Sequence, residues 1–211
     1  MGNSLKREVQ VMIEGLPGSG KSSALFQLKN GETLLTPTPG GEGFYVESVR
    51  HARTRLNIWE VHSPTVRDKC LSTARALCFV VDCTEDAVGI GQAKTELDSI
   101  LSCVASQSPR SCFTLLVLAN KQDVGGALAP TKLEQVLNLS TRSDADTWRW
   151  AIHSCSATKG LGLKEGMDWL ATSVRKNPPS WAKPKQRPLD GSSGGGRGNA
   201  KPAAMGGVPV S

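Results

Sequence analysis

Residues 15–23 read Gly-Leu-Pro-Gly-Ser-Gly-Lys-Ser-Ser. The run fits G-x-x-x-x-G-K-[ST], a pattern whose residue types suit one task, the wrapping of backbone around a chain of phosphates. Gly15, Gly18 and Gly20 let the backbone approach closely, and Pro17, Ser19 and Ser23 complete the loop around them. Lys21 is placed to reach the outer phosphate oxygens, and the Ser22 hydroxyl can ligate Mg²⁺. Such a loop needs a strand before it and a helix N-terminus after it, because the unpaired amides and the dipole of a first helical turn favour an anion. The flanks comply. Residues 8–13 are apolar at alternate positions, as in a half-buried strand, and residues 23–29 suit a first helix. This indicates a nucleoside triphosphate and leaves the base open.

The base is read further along. Asn120-Lys121-Gln122-Asp123 directly follows the apolar run 113–119. Guanine presents two adjacent donors, N1–H and the 2-amino group, which one carboxylate can accept together, and Asp123 suits that role. Adenine offers no such pair, so a carboxylate here discriminates against it. Asn120 can tie neighbouring loops together, and the Lys121 stem can lie along the ring face. Downstream, Ser156-Ala157-Thr158 follows the last strand candidate, where the Ala157 N–H can donate to the base oxygen. Three elements in this order point to guanine.

The elements that must position these residues follow from hydrophobic periodicity. Residues 44–50 and 55–61 alternate about a short polar turn and predict a hairpin. Residues 77–82 and 113–119 are near-continuous apolar runs, as in strands covered on both faces. Residues 90–104 and 163–176 carry helical stripes, residues 130–139 open on a proline as helices often do, and residues 150–155 make a last strand. Strand alternating with helix predicts an α/β domain of three layers, with a mostly parallel sheet, one antiparallel edge hairpin and helices on both faces. Ligands of such folds bind beyond the carboxyl ends of the strands.

The chain has 211 residues and a formal net charge of +6. The excess is local: from residue 175 onward seven basic residues face one acidic residue, whereas residues 1–174 hold eighteen of each sign. A neutral core argues against nucleic acid as the partner. The segment 177–211, rich in Pro, Gly and Ser, is expected to be a disordered basic tail, either a solvated extension or an arm for an acidic partner or an anionic membrane. Six cysteines without C-x-x-C spacing read as reduced, mostly buried small residues rather than a zinc site. No apolar stretch is long enough to span a bilayer and no secretory signal is visible, so the expected location is cytoplasmic, with peripheral membrane association as a further expectation.

Together "GLPGSGKSS", "PTPGGEGFYVESV", "CFVVDCTED", "ANKQD" and "SATKGLGLKEGMDWL" resemble the small GTPases of the ADP-ribosylation factor (Arf) and Arf-like family, over about residues 7–176. Residues 1–6 are then a short N-terminal extension. The resemblance implies a phosphate-loop GTPase fold, GTP/GDP and Mg²⁺ as ligands, and effector and regulator proteins reading the switch and interswitch face. It also implies that Thr38 completes Mg²⁺ coordination, that Glu60 reaches Mg²⁺ through water, and that the Ser63 N–H approaches the γ-phosphate.

The departures from the family pattern bear on catalysis. Where the family has W-D-V-G-G-Q, this chain has Trp59-Glu60-Val61-His62-Ser63-Pro64. Glu60 keeps the charge of the aspartate but adds a methylene, and Ser63 loses the conformational freedom of glycine. Pro64 stands where a glutamine orients the attacking water; it has neither a side-chain amide nor an N–H. His62 is either a replacement base or an exposed loop histidine. Gly40, Gly41 and Glu42 lengthen the first switch. Gly2 resembles a myristoylation start, although Lys6 stands where that pattern has Ser or Thr. No amphipathic helix fits before the first strand. The expected function is a guanine-nucleotide switch with weak intrinsic hydrolysis; the alternative is a non-hydrolysing GTP-binding scaffold.

Overall fold

The computed structural model describes residues 8–30, 44–51, 53–107, 113–141 and 148–176. The expectations for Gly2, Thr38, residues 40–42 and the tail lie outside the described residues. In chain order the elements are β1 (Glu8–Glu14), α1 (Lys21–Asn30), β2 (Phe44–His51), β3 (Thr54–Val61), α2 (Pro64–Thr73), β4 (Ala76–Asp82), α3 (Ala87–Gln107), β5 (Thr114–Asn120), α4 (Pro130–Leu137), β6 (Arg149–Ser154) and α5 (Leu163–Lys176). One six-stranded sheet runs β2-β3-β1-β4-β5-β6. Every pairing is parallel except β2 with β3, an antiparallel edge hairpin in which Val46 faces Trp59.

The alternation of strand side chains sorts the core into two layers. On one face Met12, Leu77, Phe79, Val81, Leu115 and Val117 pack with Leu71 of α2, Leu97 and Leu101 of α3, and Leu133 and Leu137 of α4. On the other, Val11, Ile13, Cys78, Val80, Leu116 and Leu118 pack with Leu25 of α1 and with Met167, Leu170 and Val174 of α5. All seven residues of β4 and of β5 are buried, which is why those strands read as unbroken apolar runs. This is the three-layer α/β architecture that the strand–helix alternation predicts.

Two details differ from the sequence reading. Residues 64–73 form α2, which no apolar stripe announces; the available signal is Ser63-Pro64, a favoured N-cap residue followed by proline at the first helical turn. The fourth helix stops at Leu137 instead of reaching residue 139, because Asn138 turns left-handed (φ 53°) while its N–H closes on Gln135 and Glu134.

Leu170 is fully buried between α5 and the sheet. Leu170→Ala is expected to lower stability by about 2–5 kcal/mol, as cavity-forming core truncations do. In urea denaturation the midpoint should fall while the slope stays unchanged.

Candidate functional site

Because β1, β3, β4, β5 and β6 are all parallel, their C-terminal ends share one edge of the sheet. Onto that edge they deliver the 15–20 loop, Glu60, Asp82, the 120–123 segment and the 155–158 segment. The loop lies hard against its surroundings. A Cβ on Gly15 would stand 2.3 Å from the Val80 carbonyl oxygen, and one on Gly20 would stand 2.2 Å from the Asn120 amide nitrogen; both glycines have positive φ, 144° and 101°. Only glycine satisfies either position.

Asn120 joins three of these segments. Its buried amide donates to the Ser19 carbonyl at 2.7 Å, and its oxygen accepts the Ala157 N–H at 2.8 Å. The Cys155 thiol approaches the same oxygen at 3.6 Å. Asn120 thus ties the 15–20 loop to the segment after β6, the role its place directly after a buried strand predicts.

At the start of α1, Lys21 Nζ donates to the carbonyls of Gly15 and Leu16 at 2.9 and 3.0 Å. Burial holds the Lys21 pKa below its ordinary value, against the opposing pull of Glu60, Glu14 and Glu96. The Ser22 hydroxyl donates to Glu60 at 2.8 Å and 3.1 Å, one distance to each carboxylate oxygen. In this arrangement the proton of Ser22 is directed at a buried carboxylate while its oxygen lone pairs remain for another partner. Two hard oxygen donors side by side fit Mg²⁺.

On the opposite side of the loop, Lys121 adopts φ 63° and its ammonium pairs with Asp82. Burial raises the Asp82 pKa, but the hydrogen bonds from Lys121 and Thr84 outweigh it and hold the carboxyl below its ordinary range. Asp82 was not singled out from the sequence; its place at the end of a buried strand was the available signal. Hydrogen bonding from Ser156 is the first of the influences that keep Asp123 below its ordinary pKa, and Lys159 Nζ stands 3.6 Å away. Asp123 is therefore an ionised acceptor at neutral pH. Ser156 and Thr158 share a hydrogen bond of 3.2 Å, and the Lys159 N–H closes the turn onto Ser156 Oγ at 3.2 Å.

The segment after Glu60 goes directly into a helix. His62 is exposed, Ser63 occupies the N-cap position with extended backbone, and Pro64 is the first residue of α2. The Arg67 N–H bonds the Ser63 carbonyl at 2.9 Å, and the Ser63 hydroxyl meets that of Thr65 at 3.0 Å. Thus Ser63 and Pro64 are committed to starting a helix. Glu14, the last residue of β1, was also absent from the sequence reading, although a charge ending an apolar strand beside the glycine loop marks it out.

A family model described as "ADP-ribosylation factor family" matches residues 1–174. ADP-ribosylation factor K of Dictyostelium discoideum is 33% identical over 174 residues, covering 80% of this chain and 87% of that protein. ADP-ribosylation factor-like protein 1 of Saccharomyces cerevisiae is 36% identical over 175 residues, covering 81% and 90%. Among solved structures, the Arl6 BBS3 small GTPase from Trypanosoma brucei with bound nucleotide analogue GppNp superposes with a TM-score of 0.67 at 25% identity, covering 81% of this chain and 99% of that one.

Asn120→Ala would leave the Ser19 carbonyl and the Ala157 N–H without their buried partner. A loss of roughly 2–4 kcal/mol of stability is expected from the two stranded groups. Thermal unfolding of the wild type and the variant checks it.

Proposed function

Because the chain belongs to the ADP-ribosylation factor family of small GTPases, we propose that it is a switch that binds guanine nucleotide with Mg²⁺ and hydrolyses GTP weakly unaided. The observation that carries the binding half is the Asn120 tie, which fixes the 15–20 loop and the segment after β6 against the end of β5, just before the ionised Asp123. In this reading the 15–20 amides and Lys21 hold the phosphates, with Ser22 and Ser23 at the start of α1. Asp123 accepts the two guanine donors, and the Ala157 N–H, which Asn120 Oδ1 holds in this structure, turns to the base oxygen when guanine is bound. Ser22, Thr38 and Glu60 would hold Mg²⁺, which supplies charge neutralisation around the phosphates when bound.

The hydrolytic half rests on His62, Ser63 and Pro64, which stand in the second switch of the family pattern. Phosphoryl transfer depends on alignment of the attacking water and on charge stabilisation. Pro64 has no amide to align water, and both Ser63 and Pro64 are taken up in the start of α2. The same observation favours a second reading, a GTP-bound scaffold that presents this face and the β2–β3 hairpin to a protein partner. The nucleotide that copurifies with the protein separates the two: GDP indicates a cycling switch, GTP a scaffold.

Two measurements test the proposal. Asp123→Asn replaces an acceptor-only carboxylate with an amide that offers a donor, so guanine nucleotide binding should weaken and xanthine nucleotide binding improve. Unchanged GTP affinity in a titration would remove Asp123 from the base site. In single-turnover assays the wild type should hydrolyse GTP at or below roughly 10⁻⁴ per second, the lower end for small GTPases acting alone. The combined change His62→Gly, Ser63→Gly and Pro64→Gln should raise that rate. A wild-type rate, without any activating protein, equal to that of relatives assisted by one would refute the weak-hydrolysis reading.

A further inference from the structure

Asn120 and Lys121 are neighbours at the end of β5 and serve different partners. Asn120 bonds the backbone of two other segments, whereas Lys121 reaches a side chain, the carboxylate of Asp82. Lys121 also has a left-handed backbone, φ 63°, which is uncommon for a residue with a long side chain. The surrounding main chain fixes that turn. The Cys83 N–H bonds the Asn120 carbonyl at 3.2 Å, the Gln122 N–H the Cys155 carbonyl at 3.1 Å, and the Val124 N–H the Lys121 carbonyl at 3.0 Å. The backbone of Lys121 is thereby settled. Its stem is a separate matter, because a lysine side chain keeps many rotamers unless its ammonium is held.

Asp82 supplies the hold. It ends β4 directly opposite Asn120 in the β4–β5 register and is 9% exposed. Its Oδ2 takes the Lys121 ammonium. Its Oδ1 accepts the Thr84 N–H at 2.9 Å and the Thr84 hydroxyl at 2.6 Å, so the carboxylate is itself oriented. The Lys121 side chain is still 38% exposed. A lysine anchored at its tip and open along its length presents its apolar stem as a surface. That surface lies beside Asn120 and two residues before Asp123.

We propose that Asp82 is a positioning residue of the guanine site: its carboxylate fixes the Lys121 stem in one conformation, so that the base meets a ready-made apolar wall. Asp82 acts through Lys121 and not on the nucleotide. Ordering a lysine at the moment of binding costs entropy, and Asp82 removes that cost by ordering it beforehand. The role rests on the guanine-nucleotide reading and adds to it a residue from β4, outside the segments that follow β5 and β6.

The test follows dissociation of fluorescent mant-GDP from the full chain at fixed Mg²⁺, in wild type, Asp82→Asn, Lys121→Met and the double variant. Asparagine keeps an oxygen for the Thr84 bonds and removes the charge that holds Lys121. Methionine keeps a flexible apolar stem and removes the ammonium. Asp82→Asn should speed dissociation about three- to tenfold, the effect of leaving one long side chain to be ordered at binding. In the Lys121→Met background it should add nothing, because the group it acts through has gone. Equal effects of Asp82→Asn with and without the Lys121 ammonium would assign Asp82 to the fold alone and overturn the proposal; an unchanged rate in Asp82→Asn overturns it too. Thr84 is exposed, so Thr84→Val, which loosens the carboxylate, gives the same comparison if Asp82→Asn does not fold, and the same two results decide it. A wild type that binds no mant-GDP overturns the guanine reading itself, whereas binding that is insensitive to Asp82 overturns only the role of Asp82.

Discussion

One buried amide holds the site edge of this protein together. Asn120 ends β5, donates to the backbone of the 15–20 loop and accepts from the backbone that follows β6, so segments about a hundred residues apart in sequence are fixed at hydrogen-bond distance. The fit leaves no spare room: Gly20 lacks a Cβ where any other residue would collide with that amide. The amide has this reach because every strand but β2 runs the same way, which collects the strand ends and their loops on one edge. A parallel sheet is thus more than a scaffold here. It is the reason that a single side chain can organise three loops.

The second constraint is electrostatic. Around the start of α1 and the end of β1, Lys21 and Arg67 are surrounded by Glu14, Glu60 and Glu96, and burial makes the arrangement of those charges expensive to change. Ser22 is held by Glu60 and Arg67 by Glu96, so the two ends of the β3–α2 passage are tied to different layers of the fold. Glu14 belongs to neither pair.

The family pattern has Gly-Gly-Gln at this point, with two glycines of wide backbone freedom. Here the corresponding residues, His62, Ser63 and Pro64, instead give an exposed histidine, a helix N-cap position and a first helical turn. Proline at that turn favours helix at the expense of the freedom that the segment otherwise has. The substitution therefore changes local backbone preference as well as side-chain chemistry.

The sequence by itself determined what depends on short-range sterics and periodicity. The spacing of Gly15, Gly18, Gly20 and Lys21 specifies a loop between strand and helix, and the apolar runs of β4 and β5 announce strands covered on both faces. The carboxylate of Asp123 and the order of its segments were legible for the same reason, being properties of a few neighbouring residues. The helix α2 was not, because its ten residues carry too few apolar positions to show a stripe and only the Ser63-Pro64 step at its start signals it. Tertiary structure alone decided which distant groups meet: Asn120 with Ser19 and Ala157, Lys121 with Asp82, Ser22 with Glu60, Arg67 with Glu96 and not with Glu14. With 25 basic and 19 acidic residues along the chain, spacing cannot select these pairs. The selection comes from packing helices on both faces of one sheet, which fixes the distances between charges that the sequence leaves free.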